Sequence, residues 1–408
     1  MEEFDCVVVG GGMVGAASAL SMAALGLTVA LVEKRKVSFS SKQSLQDKPF
    51  DLRVSAISIA SEHLLKQLGA WQQIKAWRTC PYKRLAVWES ESIYTEFSAE
   101  NINQSHLGHI IENNLVQLAL WQQIEANKNI SIYCPEEVVS LEQNNDYATV
   151  TLSQCILKTK LVVGADGAQS KVRSMTNIGI TGWDYQQSAM LMNVETELPQ
   201  QNITWQQYLP TGPVAFLPLP SSNNADNFTL PGRASLVWYH QRDEITRLSL
   251  LSNSQLQQEV LQNFPKKLGK VKVLSKGAFP LTRSHANSYQ HKKVLLLGDA
   301  AHTINPMAGQ GVNLGFKDVK ALQEVIADAI ANNEPWFNEN ILSRYEKNRR
   351  NDNLMMMSTM DALYVTFSHP SPAVKVARNL ALLAINKIPL IKTVVKNKAL
   401  AYACGVSI

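Results

Sequence analysis

Cysteine is sparse and scattered. Cys6, Cys80, Cys134, Cys155 and Cys404 form no CxxC pair. Neither a disulfide framework nor a zinc site follows, and reduced thiols in a cytosolic protein are the expected state. Charge of one sign is also short: the formal net charge is only +5, with no Lys/Arg run interleaved with aromatics. Nucleic acid is therefore not an expected partner. No metal-ligand cluster stands out along the chain. The opening residues, MEEFD, are acidic and lack the order of a signal peptide. Between Cys6 and Val32 there is no charged residue at all, a length that would suit a membrane span. Glycines interrupt it, however, and its pattern turns from strand-like to helix-like and back, so a buried strand–helix–strand unit is expected.

The 408 residues exceed what one compact core usually holds, so two domains are expected. The segment FDCVVVGGGMVGAASALSMAALGLTVALVEK reads as a strand (Phe4–Val9), a tight turn, a helix (Met13–Leu25) and a second strand (Thr28–Val32). The turn carries G-x-G-x-x-G as Gly10, Gly12 and Gly15. Gly10 permits the turn, Gly12 admits a pyrophosphate to the backbone, and Gly15 lets helix and strand pack closely. The helix start offers unpaired N–H groups to phosphate. Glu33 ends the second strand, where a carboxylate can accept both ribose hydroxyls. It would repel a 2′-phosphate, which leaves NAD or FAD. A glycine-rich turn without a ligand is the alternative.

Two further stretches repeat the strand-to-helix theme. LVVGADGAQSKVR (161–173) is an apolar strand followed by Gly164, Asp166 and Gly167, then a short helix with Lys171 and Arg173. KVLLLGDAAHTINPMAGQGVNLG gives a buried strand, Val294–Leu297, then Gly298 and Asp299, then a loop and a helix to about Ile330 with Val319, Leu322, Ile326 and Ile330 on one face. Asp299 can accept a hydrogen bond from a polyol hydroxyl. Gly309 and Gly311 allow backbone N–H groups to approach a flat ring, and the helix starting there aims its positive end at it. Pro306 removes one N–H and fixes the loop. For Asp166 and Asp299 the competing role is a turn or helix cap.

These three stretches in this order resemble the flavoprotein aromatic hydroxylases, the family of para-hydroxybenzoate hydroxylase. The resemblance implies an α/β chain, α+β overall: a Rossmann-like FAD-binding domain, an inserted mainly antiparallel β-sheet substrate domain and a C-terminal helical tail. The expected divisions are 1–75, 105–180 and 277–352 for FAD, 76–104 and 181–276 for substrate, and 353–408 for the tail. It implies FAD held by Gly10, Gly12, Met13, Val14, Gly15, Glu33 and Lys34 at its ADP half. Asp166 and Gly167 are implied to serve both FAD and NAD(P)H. Gly298 and Asp299 take the ribityl chain, and Pro306, Gly309, Gln310, Gly311, Val312 and Asn313 lie along the ring, with Arg53 of DLRVSAIS near it. NAD(P)H docks transiently, as no second G-x-G-x-x-G follows a strand. The flavin takes its hydride, forms a C4a-hydroperoxide with O2 and passes one oxygen to an electron-rich ring. The carbonyl of Pro306 borders the substrate, and His302 is either a catalytic group or a packed, hydrogen-bonded side chain. No W-x-W-x-I-P segment occurs, which sets aside the related tryptophan halogenases.

The segments RVSAISIAS, CPYKRLAVWE, HIIENNLVQLALWQ and GAFPLTR narrow the resemblance to the ubiquinone-biosynthesis hydroxylases. That branch implies a polyprenylated benzoquinol substrate, most closely the demethoxyubiquinol step. Another carbon of the same ring, or a flavin-bound scaffold for other ubiquinone-biosynthesis proteins, are the alternatives. Residues 204–220 and 234–240 alternate as strands of a covering sheet, where Trp205, Tyr208, Phe216, Trp238 and Phe279 are candidates for an apolar pocket, against plain core packing. The polar stretches SFSSKQSLQDK (38–48) and SSNNADNFTLPG are expected to be loops. Beyond Asp361 the tail carries Lys375, Arg378, Lys387, Lys392, Lys396 and Lys398 among apolar runs. Such a tail can rest on an anionic membrane, giving a cytoplasmic protein peripheral on the inner membrane, or it can pack on the FAD domain or a partner subunit.

Overall fold

The computed structural model describes residues 1–37, 48–90, 94–221, 231–304, 309, 311–368 and 397–406. Its first sheet is built on the strand Glu2–Val9, whose last four residues are buried, as expected of an inner strand covered on both faces. Parallel neighbours flank it: Ile156–Gly164 on one side and Val29–Val32 on the other. Beyond these lie Val294–Leu296 and Ile130–Tyr133, both again parallel. Val9 stands opposite Gly164, and Gly164 opposite Leu296. The three strands therefore end at one edge, and the glycine-rich turns that follow them are neighbours in space although about 150 positions separate the first from the second. That edge is where open α/β sheets bind ligands. The helix Met13–Ala24 packs between Asn113–Glu125 and Gly311–Ala331. The uncharged stretch 6–32 is thus a strand–helix–strand unit, and among the described residues no helix is long and apolar enough to cross a membrane.

A second, eight-stranded sheet runs in the order His302–Thr303, Val271–Ala286, Ile180–Thr196, Gly232–Gln241, Gly212–Leu219, Ile203–Leu209, Arg84–Trp88, Tyr94–Ser98. All its pairings are antiparallel except Ile203–Leu209 with Arg84–Trp88. The helices Arg242–Leu250 and Asn253–Asn263 cover one face, burying Ile245, Leu248, Leu256 and Val260 against Met190, Met192 and Leu236. The other face carries Ala189, Val237, Tyr239 and Leu281. On that side Asn193 Nδ2 donates to the carbonyls of Phe50 and Asp51, which ties the sheet to the segment before Arg53. A small third sheet joins Val54–Ser58, Gly108–Glu112 and Cys80–Tyr82.

Several expected boundaries fall inside elements. The strand Val271–Ala286 runs through position 277, and Cys80–Tyr82 joins the third sheet, not the substrate sheet. The helix Glu339–Ser368 continues through 353 because neither glycine nor proline interrupts it. At the far end, Asn397–Cys404 is helical, and Leu400, Ala401 and Cys404 are buried against Ala56, Ile59, Tyr82 and Ile110. This end of the tail packs on the body of the protein. The basic residues Lys375, Arg378, Lys387, Lys392 and Lys396, and most of both polar loops, lie outside the described residues.

Candidate active site

The first turn is shaped by contacts that only glycine allows. Gly10 has φ +103°, and a Cβ there would lie 2.5 Å from the Ala165 carbonyl oxygen. A Cβ on Gly15 would lie 1.9 Å from the Gly10 oxygen. Gly12 is different: nothing lies within 4 Å of where its Cβ would stand. The protein itself gives no reason to omit a side chain there. Gly12 also caps the helix Met13–Ala24 with extended backbone and no side-chain hydrogen bond, so the first N–H groups face open space. An open cradle with unclaimed donors fits a pyrophosphate. Gly12→Ala is therefore expected to leave apoprotein stability near wild type. It should weaken FAD binding by roughly tenfold, about one hydrogen bond's worth. Fluorescence titration of the apoprotein with FAD checks it, and a stable variant with unchanged affinity would show that the pyrophosphate lies elsewhere.

Glu33 has a second role. Its Oε2 accepts from Gly11 N at 2.6 Å and its Oε1 from Arg35 N at 2.8 Å. Each oxygen retains acceptor capacity for a ribose hydroxyl. The Gly11 carbonyl in turn accepts from Trp121 Nε1 at 2.7 Å and Gln117 Nε2 at 2.8 Å. These two residues of the helix Asn113–Glu125 hold the turn from outside. Lys34 is exposed, Met13 packs on the core, and Val14 presses against Gly298 and Gly315, so Val14 joins the first motif to the third.

Asp166 takes a capping role in the structure. Its Oδ1 accepts from Ser170 Oγ at 2.5 Å, and its Oδ2 accepts from Lys171 N at 2.7 Å and Val172 N at 3.2 Å. The fold uses it to cap the helix Lys171–Met175, the alternative weighed in the sequence. Gly167, at φ +85°, turns beside it into open space. Arg173 of that helix is buried and donates to the carbonyls of Ala300 and Ala168 at 2.8 and 2.9 Å, locking the second motif to the third.

The third motif is the corner between the two large sheets. Val294–Leu296 belongs to the first sheet, Gly298–Ala300 forms a 3₁₀ turn, and His302–Thr303 pairs with Ser284 and His285 of the second. Asp299 stands at that corner, exposed to the cleft yet surrounded by protein. Burial pushes its carboxyl pKa up, while His302 and Arg53 pull it back. Arg53 is exposed nearby. Among the described residues no hydrogen bond to the Asp299 carboxylate is found, so this solvent-accessible oxygen pair, which no protein donor claims, fits a polyol hydroxyl. Gly309, at φ +62°, lies against Ala56, and Gly311 opens the helix Gly311–Ala331 with Val312 beside it. Pro306 and Gln310 lie outside the described residues.

The Asn313 side chain has a structural role. Its Oδ1 accepts from Ser58 N and Ser61 Oγ at 3.0 and 2.7 Å, and its Nδ2 donates to Ala56 O at 2.8 Å. The side chain fastens the helix to the strand Val54–Ser58, and the residue is buried. His302 likewise points inward. It is 2% exposed, and its Nε2 lies 2.5 Å from Asp318 Oδ2. Asp318 also accepts from Gly298 N at 3.0 Å, Arg349 Nε at 2.8 Å and Asn353 Nδ2 at 3.1 Å. Asn353 donates to the Tyr289 hydroxyl, which meets His285 Nε2 at 2.8 Å. Burial and the neighbouring His302 bring the His285 pKa down to about 4. This buried network holds the corner that presents Asp299.

The five aromatic candidates divide between the two faces of the second sheet. Trp205 stacks on Phe216 at 5.3 Å, and Trp238 meets Phe264 edge-on at 5.4 Å, all within the core beneath the two covering helices. Trp205, Phe216 and Trp238 are core residues, not pocket residues. Alternation decides this, since one face of a strand sees only every second residue. Phe279 is on the other face with Leu191 and Leu281. Tyr208 stacks on Phe367 at 4.0 Å. Burial raises its hydroxyl pKa to about 12.

Comparison with known proteins agrees with this geometry. The FAD binding domain family matches residues 3–357. The chain is 42% identical to the 3-demethoxyubiquinol 3-hydroxylase of Escherichia coli over 98% of each chain. It is 32% identical to the mitochondrial ubiquinone biosynthesis monooxygenase COQ6 of Xenopus tropicalis, over 98% of this chain and 93% of that one. The structure of p-nitrophenol 4-monooxygenase PnpA from Pseudomonas putida shares the fold with a TM-score of 0.78 at 19% identity, over the whole of both chains. With a flavin cradle at one sheet edge and full-length relatives of this similarity, the chain belongs to the FAD-binding aromatic hydroxylases, a family of FAD-dependent monooxygenases.

Proposed function

We propose that this enzyme hydroxylates a polyprenylated benzoquinol in ubiquinone biosynthesis, at the demethoxyubiquinol step. The observation that carries the reading is the 42% identity with the Escherichia coli enzyme across 98% of both chains. The site is compatible with it. Bound FAD supplies hydride acceptance from NAD(P)H and the activation of O2. The chain's own task is to bind, orient and exclude water. Gly12 and the first turn of Met13–Ala24 receive the pyrophosphate, Glu33 the ribose and Asp299 the ribityl chain. The N-terminus of Gly311–Ala331 faces the ring, where its dipole stabilises negative charge by about 0.3–1 kcal/mol. On the other face of the second sheet, the partly buried Leu191 and Phe279 pack on Val237 and Leu281, an apolar surface suited to a ring with a hydrocarbon tail and to keeping water out.

Turnover of a short-chain demethoxyubiquinol with NAD(P)H and O2 tests the reading. A product one oxygen heavier, hydroxylated at the free ring carbon, is expected. Quinol-independent NAD(P)H consumption with no new product would favour the scaffold, and hydroxylation elsewhere would favour a sister step. The same assay examines the tail. The basic residues Lys375, Arg378, Lys387 and Lys392 are proposed to hold the enzyme on an anionic bilayer. Replacing them with Gln should slow turnover of vesicle-held quinol while sparing turnover in detergent; equal slowing in both would refute the membrane role.

A further inference from the structure

Away from the cleft, Glu62, His106 and His109 converge. Glu62 lies in the helix Ile59–Gln67, His109 in the strand Gly108–Glu112 and His106 just before that strand. His106 Nε2 is 2.8 Å and His109 Nδ1 3.2 Å from the same oxygen, Glu62 Oε2. All three donor atoms lie within 4.8 Å of one another. Glu62 and His109 are 4% and 8% exposed. His109 Nδ1 is buried, and its 3.2 Å contact with Glu62 Oε2 has a poor direction for a hydrogen bond, so the carboxylate it faces satisfies this nitrogen only weakly. A buried polar atom in that position needs something to satisfy it.

The geometry points to a site for a divalent transition metal of the zinc class, bound by Glu62 Oε2, His106 Nε2 and His109 Nδ1. Two imidazole nitrogens with one carboxylate suit zinc and disfavour magnesium or calcium, which take oxygen ligands. Zinc–ligand bonds of about 2.0–2.1 Å in a tetrahedron set ligands about 3.3 Å apart; the two separations from Glu62 Oε2 are 2.8 and 3.2 Å, and the two histidine nitrogens lie within 4.8 Å of each other, so modest rotamer shifts bring the three onto one ion. The supporting contacts are those of a prepared ligand set. Ser105 Oγ meets His106 Nδ1 at 2.8 Å, which turns Nε2 towards Glu62. His109 is held edge-on against Trp71 at 5.0 Å. His106 reaches the surface and gives an ion its entry. Lys66 Nζ holds the other carboxylate oxygen at 2.7 Å. It fixes the carboxylate but opposes a second cation, so affinity rises when its charge is removed. A metal here would tie the helix to the strand; the histidines are only three positions apart, but Glu62 stands 44 and 47 positions before them, so the chain's spacing does not reveal the full set.

The test is calorimetric titration of the chelator-dialysed, FAD-loaded enzyme with zinc chloride, with metal content measured after desalting. One zinc per chain is expected, with a higher melting temperature because the ion binds only the folded form. Glu62→Gln and His106→Gln should each lower the affinity at least about tenfold, the effect that loss of a group merely supporting a ligand already produces. Lys66→Gln should raise it. Retained flavin absorbance shows that a variant is folded, and His106→Gln, at the surface, serves if Glu62→Gln is not. Wild-type enzyme that takes up no zinc overturns the assignment. So does zinc held equally well by both ligand variants, as it would be at the partly exposed Cys134 and Cys155.

Discussion

Asp299→Ala is expected to come off purification nearly colourless. The lost interaction is a hydrogen bond to a charged acceptor in a confined cleft, on the order of 1.5–3 kcal/mol, which corresponds to about ten- to a hundredfold weaker FAD binding. Stability should move the other way. Burial raises the Asp299 pKa in the folded protein, with Asp318 adding to the rise and His302 and Arg53 only partly offsetting it. A carboxyl with a raised folded pKa favours folding below its unfolded pKa and loses that contribution as pH rises through the folded value. At neutral pH the ionised group therefore opposes folding of the apoprotein. Removing it should leave the apoprotein melting at or above the wild-type temperature while flavin occupancy collapses. Few structural residues behave this way, whereas groups held ready for a ligand do. Full flavin occupancy in Asp299→Ala would take this residue out of the site. A variant that loses flavin and melts well below wild type would give Asp299 a structural role instead.

The part of this site that sequence made legible is the part written in contiguous residues. Gly10, Gly12 and Gly15 carry their meaning within six positions, and the strand before them and helix after them lie within two positions of where periodicity places them. Backbone requirements of that kind are local, so local sequence records them. Asp166 shows the limit: a capping acid and a ligand acid look alike until Ser170, Lys171 and Val172 are seen around it. Asn313 follows the same rule, since its partners Ser58 and Ser61 lie some 250 positions away. For Trp205, Phe216 and Trp238 the alternation was readable but its direction was not. Nothing in a strand's own pattern says which face meets a helix pair and which meets a cleft. Trp121 and Gln117, which clamp Gly11, look like ordinary members of an amphipathic helix. Asp318 did leave a trace. It stands between Leu314 and Leu322 on the buried i, i+4 stripe of Gly311–Ala331, and an acid on such a stripe requires a partner.

That partner network should dominate the stability of the corner. Asp318 is fully buried and holds Arg349, His302, Asn353 and the Gly298 N–H at once. Deleting it takes one of two carboxylates from the buried Arg349 guanidinium, which keeps Asp352 and Asn353, and leaves His302 and the Gly298 N–H without their acceptor; losses of this kind reach about 3–5 kcal/mol. Asp318→Ala should therefore unfold at much lower urea and, with Gly298 released, bind FAD poorly even in buffer. Acid supplies an independent signature. Burial alone would raise the Asp318 pKa, but His302 and Arg349 outweigh it and bring it down to about 2. A depressed carboxyl pKa contributes stability above the unfolded value, near 4, and that contribution disappears as pH falls through the folded value. The stability gap between wild type and Asp318→Asn should thus be constant from neutral pH to about 4 and shrink between about 4 and 2. Arg349→Met in the Asp318→Ala background should cost less than it does in wild type, because the buried charge that lost one of its two carboxylates goes with it. If Asp318→Ala melts within about 0.5 kcal/mol of wild type, the range of an ordinary surface change, the corner is held by packing alone and the network has no claim on Asp299.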